Sequence, residues 1–561
     1  MNPITLILNG ILLFCLLLPY TGHTQSSVPT VSATQLRVPV LIGKETVVSK
    51  IKVDKAQGAR LQEVCLEVDP LLLKTEGLHI KVYYASSDKD FKEVVQSNWI
   101  RFADTFTANK GRAILKGNLP LADKNAYLYV TCTLPSRWPL QDSFTLRSAE
   151  IRIDGKRLPI EGKQDKLFFP GVAVRSHMQD SVHTSRIPGL ACSNDGTLLA
   201  IFDARYESAR DLQGHIDIGL HRSTDGGQTW QPMQIAMDMG TWGGLPQKYN
   251  GVSDAGILVD RKSGAIYIAA TWMHGLLDDN GQWMNNLSDT SNAWNHQWRK
   301  KGSQPGYDVK QSSQFMLVKS IDDGVTWSEP VNITAMGKPA DFWLWAPAPG
   351  NGITLKDGTL VFPTQGRDHT GKPFSNIAYS KDGGETWHAS KAAIDTEGGT
   401  TECAVVELPD GRLMLNMRAN KNKGNLKADN GRAVSTTVNL GASWTEHPSS
   451  FNALPEPTCM ASLFRHDVHT DDDQTLLLFF NPDDKEKRRN LTLKVSVDDG
   501  QSWPRYLQLL LDEGSSRGYS CITSVDKDHI GILYESSQAN MVFQKIPVRQ
   551  LLKGQYRTVG K

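Results

Sequence analysis

Between Leu36 and Ile160 apolar and polar residues alternate in short runs, of which Leu78-His79-Ile80-Lys81-Val82-Tyr83-Tyr84 and Ala126-Tyr127-Leu128-Tyr129-Val130-Thr131 are clear examples. A period of two gives a strand one apolar face, so these runs predict half-buried β-strands. Gly, Pro and Asp turns separate them, and together they predict an antiparallel sandwich over residues 26–165. The chain opens differently. Leu6 to Tyr20 form an apolar run, too short to span a bilayer, followed by Thr21-Gly22-His23-Thr24-Gln25. This predicts a signal peptide over residues 1–24 and a secreted or periplasmic protein, with Cys15 part of the apolar core of the signal. No later run has the length of a membrane helix, so no transmembrane segment is expected in the mature chain.

Beyond residue 165 one pattern recurs. Ser223-Thr-Asp225-Gly-Gly227-Gln-Thr229-Trp230 returns as Ser320-Ile-Asp322-Asp-Gly324-Val-Thr326-Trp327, as Ser380-Lys-Asp382-Gly-Gly384-Glu-Thr386-Trp387 and as Ser496-Val-Asp498-Asp-Gly500-Gln-Ser502-Trp503. A degenerate copy, Thr437-Val-Asn439-Leu-Gly441-Ala-Ser443-Trp444, fills the gap. The starts at 223, 320, 380, 437 and 496 lie 97, 60, 57 and 59 residues apart, a nearly fixed period that predicts one copy per four-stranded propeller blade. Residues 166–550 have room for six blades. Within each copy Asp and Gly suit a tight hairpin turn, the hydroxyls can bond its backbone, and Trp packs beneath, so the repeats are read as structural. The excess in the first interval falls between Trp272 and Gln311, a polar stretch with Trp283, Trp294 and Trp298 that reads as a functional loop or a self-packed one. The fold class is therefore all-β, a six-bladed β-propeller preceded by a β-sandwich.

Composition removes several alternatives. Lys and Arg number 61 against 60 Asp and Glu, leaving a net charge of +1 and no global field for nucleic acid or anionic membrane. Any anion must be recognised locally. Cys65, Cys132, Cys192, Cys403, Cys459 and Cys521 lack the close spacings of zinc or disulfide frameworks and read as small buried hydrophobes. No metal and no cofactor are expected.

The repeats resemble the Asp boxes of bacterial sialidases of glycoside hydrolase family thirty-three, and motifs from Arg186 to Glu535 extend the resemblance. Ser185-Arg186-Ile187-Pro188-Gly189-Leu190 resembles the Arg-Ile-Pro motif that opens the catalytic region there, so Arg186 is the first member of an arginine triad gripping the substrate carboxylate. Arg418 in Leu413-Met414-Leu415-Asn416-Met417-Arg418 would be the second. Arg488-Arg489-Asn490-Leu491-Thr492 resembles the late Arg strand, with Arg488 favoured over Arg489. Three planar guanidiniums suit a sugar bearing a carboxylate on its anomeric carbon.

Asp211 is similar in placement to the family's general acid/base, six residues beyond Arg205, with Glu207 a nearby rival. Its pKa is expected to rise by desolvation in the bound complex. Tyr519 in Gly518-Tyr519-Ser520-Cys521 resembles the nucleophile, and Glu402 in Thr401-Glu402-Cys403 the carboxylate paired with it. A carboxylate nucleophile would meet like-charge repulsion at a carbon already bearing a carboxylate, whereas a phenol approaches neutral. Arg205 and Asp254 match residues that contact substituents of the sugar ring, and Glu535 resembles the carboxylate that orients Arg186. The resemblance implies an exo-α-sialidase acting on sialylated glycans with retention, with trans-sialylation or a non-catalytic sialoglycan-binding propeller as alternatives.

Overall fold

The computed structural model describes residues 29–89, 99–274, 303–467 and 475–552. The predicted signal peptide with Cys15, and the stretch carrying Trp283, Trp294 and Trp298, lie outside the described residues.

The alternating N-terminal runs form two antiparallel sheets. One orders Thr30–Gln35, Thr46–Asp54, Asn125–Thr133, His79–Ala85 and Ile100–Ala103; the other orders Lys156–Pro159, Phe144–Ile153, Arg60–Val68, Arg112–Pro120 and Thr107–Asn109. Along His79–Ala85 the period of two is visible in burial, since Ile80, Val82 and Tyr84 are covered while His79, Lys81 and Tyr83 are not. Ile51 and Leu128 of one sheet share a core with Leu61, Val64 and Leu115 of the other, as in a sandwich.

Six smaller sheets follow. The first holds Thr184–Cys192, Leu198–Arg205, Ile216–Ser223 and Gln234–Met237. The second is built on Val252–Val259, Ile266–Trp272 and Gln314–Ser320, the third on Leu344–Pro347, Leu360–Arg367 and Pro373–Ser380, and the fourth on Thr400–Glu407, Leu413–Ala419 and Ala433–Thr437. The fifth holds Ser462–Asp467, Thr475–Pro482, Leu491–Ser496 and Gln508–Asp512. The sixth combines Ser520–Asp526, His529–Tyr534 and Met541–Pro547 with Pro170–Arg175, so its outer strand comes from the start of this region. Val40–Leu41 of the N-terminal part then pairs in parallel with that strand.

An apolar layer lies between each sheet and the next. Ile201 and Ile218 of the first sheet pack with Ile257 and Ile268 of the second. Four more layers join successive sheets, and Phe202 of the first sheet packs with Leu533 and Phe543 of the sixth. The architecture is a six-bladed β-propeller. Both faces of each blade are covered, and Leu198–Arg205 is accordingly buried at every position.

The repeated boxes occupy the turn after the third strand in the first five blades, and the sixth has none. Ser223 Oγ donates to Asp225 Oδ1 (2.8 Å) and accepts from Gly227 N (2.9 Å), while Thr229 N and Oγ1 donate to the Asp225 carboxylate at 3.0 and 2.6 Å. The same bonds recur at Asp322, Asp382 and Asp498. In the degenerate copy Asn439 accepts from Ser443 N (3.0 Å) through Oδ1 and donates to Ser443 Oγ (2.9 Å) through Nδ2. Asn thus replaces Asp with one donor direction reversed. Trp387 and Trp503 are buried, and Trp230, Trp327 and Trp444 are half-buried. All six cysteines of the described residues are free thiols, five of them buried.

Candidate active site

The second strand of each blade runs antiparallel to the first and third, so the start of the first strand and the end of the second meet at the end away from the boxes. The sequence-predicted residues gather there. Three first strands carry a β-bulge close to that end: register shifts lie between Arg186 and Gly189, between Ser253 and Gly256, and between Thr400 and Cys403. A bulge places two residues against one, bending the strand and re-aiming side chains. Asp254 sits in its bulge at φ 57° and Ile187 at φ 60°. For β-branched Ile187 the left-handed region is costly, on the order of 1–3 kcal/mol, and persists only where neighbours fix it.

Glu535 supplies that fixation. Its Oε1 accepts from Arg186 Nε and from Ile187 N (3.1 Å), and its Oε2 accepts from Tyr519 N (3.0 Å). One carboxylate, 2% exposed, thus ties the first strand of blade one to the segment leading into blade six. The third bulge, Thr401–Glu402, lies opposite Arg418. Arg418 Nη1 donates to Glu402 Oε2 at 2.5 Å and to Tyr519 Oη at 3.2 Å, and Tyr519 Oη donates to Glu402 Oε1. Gly518 precedes the tyrosine at φ 87°, where a Cβ would stand 2.9 Å from Pro482 and 3.0 Å from Cys459 Sγ. Only glycine lets the chain turn this closely under the ring.

A cavity of about 520 Å³ opens over this cluster, lined among others by Arg186, Asp211, Asp254, Glu402, Arg418, Arg488 and Tyr519. The guanidinium carbons of Arg186 and Arg488 stand 5.3 and 5.6 Å from the centre of the Tyr519 ring. Arg488 is held by the carbonyls of Arg517 (3.0 Å) and Thr458 (3.2 Å), whereas Arg489 turns away to Asp484 (2.7 Å). Arg205, 1% exposed, lies beneath, binding Asp203 at 2.8 Å and Asp211 at 2.6 Å. Asp211 reaches out, its side chain 80% exposed. Glu207 does not line the cavity and faces His215 at 3.8 Å.

Burial raises the Tyr519 hydroxyl well above its ordinary pKa and the Glu402 charge adds to this, outweighing Arg418. The resting side chain is a neutral phenol. The Asp254 carboxyl is also raised well above its ordinary value, by burial first and then by the charge of Glu402. Asp211 goes the other way: the partial desolvation it meets at the cavity wall would raise it, but Arg205 and Arg186 together outweigh that and hold it below the ordinary carboxylate range. In the resting protein it is an ionised carboxylate. Sequence reasoning missed Arg367 and Gln365, which line the far wall of the cavity, and Asp203, fully buried beneath Arg205. None of them lies in a motif singled out by sequence. Gln365 and Arg367 lie five and seven residues after Leu360, at the end of a strand whose first five positions are all buried.

Comparison with known proteins agrees in extent. The family described as BNR repeat-like domain matches residues 187–510. A sialidase of Bacteroides fragilis is 38% identical over 93% of this chain and 96% of its own length, and a sialidase of Paraclostridium sordellii is 29% identical over 63% and 81%. Among solved structures, the Hadza microbial sialidase Hz136 superposes with a TM-score of 0.81 at 35% identity, covering 92% of this chain and 99% of that one. With likeness of this extent in both sequence and fold, the chain belongs to the sialidase family of glycoside hydrolases and is an exo-α-sialidase.

Proposed function

We propose that the enzyme releases terminal sialic acid from sialylated glycans with retention, through a sialyl group held covalently on Tyr519. The observation that carries this reading is the shared hydrogen bond of Tyr519 and Glu402 beneath three guanidiniums. A phenol raised above its ordinary pKa needs a base in contact, and Glu402 is that base. Arg186, Arg418 and Arg488 clamp the substrate carboxylate; the Nε of Arg418 is buried with no partner among the described residues and is available to it. Glu535 orients Arg186, Arg205 positions Asp211, and Asp254, kept protonated, donates to the sugar ring.

In the first step Asp211 gives a proton to the glycosidic oxygen while Tyr519 Oη bonds to the anomeric carbon and Glu402 takes the phenol proton. The aglycone leaves as a neutral alcohol. In the second step Asp211 takes a proton from water, the resulting hydroxyl bonds to the anomeric carbon, and Tyr519 Oη leaves and recovers its proton from Glu402. Asp211 starts from the ionised state. Occupation of the arginines by the substrate carboxylate offsets the positive charge that depresses it and excludes water, which raises its pKa towards that of an acid.

Glycoproteins, glycolipids and oligosaccharides bearing terminal sialic acid all present this chemistry, and the apolar run at residues 6–20 fits secretion or a periplasmic location. In this reading residues 26–165 are a separate, possible carbohydrate-binding sandwich and residues 166–550 the catalytic propeller. The test is a 3-fluoro-sialosyl fluoride, which slows breakdown of the intermediate. The peptide containing Gly518-Tyr519-Ser520 should gain one sialyl mass, and Tyr519→Phe should gain none and lose turnover. Labelling at Glu402 or Asp211, or wild-type turnover in Tyr519→Phe, would overturn the assignment.

A further inference from the structure

A second cavity, of about 480 Å³, opens between the first and sixth blades, and Glu535 is part of its wall. It therefore adjoins the catalytic cavity across the Arg186–Glu535 pair. Its lining is polar: Ser176, Ser185, Ser516, Arg517 and Asn540 contribute. Two of these groups, Ser516 Oγ and Asn540 Nδ2, are buried without a hydrogen-bond partner among the described residues. Buried polar atoms in a folded protein are rarely left so, and a cluster of them at an open cavity marks groups whose partner is a ligand or water.

Arg517 differs from every arginine of the catalytic cluster. Arg186, Arg205 and Arg418 each hold a carboxylate and Arg488 holds two carbonyls. The Arg517 guanidinium makes no hydrogen bond and no ion pair among the described residues, and the residue is exposed. Thr184, in the wall of the same cavity, pairs across the first blade with Arg205, which holds Asp211, so Arg517 stands on the Asp211 side of the site; burial first, and then the charges of Arg186 and Arg205, weigh against its own charge. Its backbone is fixed: Arg488 Nη1 donates to its carbonyl at 3.0 Å, and Ser516 N donates to the Arg488 carbonyl at 2.9 Å.

The leaving oxygen must lie within reach of Asp211, so the aglycone extends to the side where Arg517 stands. We propose that this second cavity is the leaving-group subsite and that Arg517 selects sialosides whose leaving group carries its own carboxylate, such as one sialic acid joined to another. The inference rests on Asp211 as the acid. A neutral sugar would satisfy the hydroxyl and amide groups of the lining but leave the guanidinium unpaired and subject to the like charges of Arg186 and Arg205. A carboxylate there forms a charge-assisted fork and relieves that repulsion.

The experiment compares kcat/KM on an α2,8-linked sialic acid dimer, whose leaving group is anionic, with kcat/KM on sialyl-lactose, whose leaving group is neutral. Arg517→Met should lower the ratio of the two about tenfold, with the change in KM for the dimer, and Arg517→Lys should recover part of it. Raising the salt concentration should lower the wild-type ratio and leave that of Arg517→Met flat. A ratio within twofold of wild type, or an equal fall on both substrates, overturns the proposal. Asp211→Asn separates the two layers of the argument: if it cleaves both sialosides as wild type does, the placement of the acid is wrong, whereas an unchanged ratio in Arg517→Met with inactive Asp211→Asn condemns the subsite alone.

Discussion

Glu535→Gln is the substitution whose cost can be worked most directly from the geometry. It keeps the shape of the side chain but removes its charge and turns one acceptor into a donor. In the native protein both oxygens accept, Oε1 from Arg186 Nε and Ile187 N, Oε2 from Tyr519 N. A glutamine amide placed either way sets its NH₂ against at least one backbone N–H, leaving a buried donor unsatisfied at about 1–3 kcal/mol. Arg186, 7% exposed, also loses its counter-charge, and breaking a buried pair by removing one partner costs about 3–5 kcal/mol. Water can reach the site from the adjoining cavity, which places the expected loss at the lower end, about 4 kcal/mol. Against a typical total of about 5–15 kcal/mol this is severe. Urea unfolding followed by tryptophan fluorescence should show the midpoint falling with an unchanged slope. The surviving folded fraction should have reduced kcat, because Tyr519 loses the bond at its own backbone N–H. A stability loss below about 1 kcal/mol would refute the reasoning, since the three bonds could not then be made by one buried carboxylate.

Arg488→Ala should lower kcat/KM on the order of 100-fold, the equivalent of about 3 kcal/mol for a charged fork, while Arg489→Ala, whose partner is Asp484 at the surface, should cost less than about threefold. The reverse ranking would move the third clamp position to Arg489. The pH profiles carry a sign: the acid form of Asp211 is the active one, so activity falls as pH rises through its pKa. That pKa is depressed in the free protein and rises on binding, so the basic limb of kcat should lie at higher pH than that of kcat/KM. Coincident limbs would count against Asp211. Activity should survive a chelator, because acid, nucleophile and anion clamp are all side chains; loss restored by one divalent ion would contradict this.

The five boxes, at a nearly constant spacing, made the first five blades legible in sequence because each turn needs the same hydroxyls, acid and glycine. The sixth blade carries no box, and only the length of the chain announced it. That Pro170–Arg175 supplies its outer strand was not readable, since pairing between residues so far apart leaves no local trace. Motifs brought together Arg186, Asp211, Asp254, Glu402, Arg418, Arg488 and Tyr519, which line one cavity. The bulges that aim three of them escaped notice, because an extra residue in a strand has no composition of its own, and Ile187 at φ 60° runs against local preference. Arg517 was passed over for a related reason: an arginine beside the Gly-Tyr-Ser motif looks like any surface charge until its lack of a partner among the described residues is seen.

The borrowed strand of the sixth blade bears on how the protein is made. Every residue proposed for catalysis has been added to the chain once Glu535 is synthesised, yet the strand that pairs with Pro170–Arg175, Met541–Pro547, comes afterwards. Until then the first blade lacks its neighbour, and Phe202 lacks the Phe543 ring that covers it. Closure thus depends on one of the longest-range pairings in the chain, a slow kind of step in which unpaired edges stay open to wrong partners. A chain shortened by as little as that final strand would keep its whole set of catalytic groups and lose the latch that holds the ring shut.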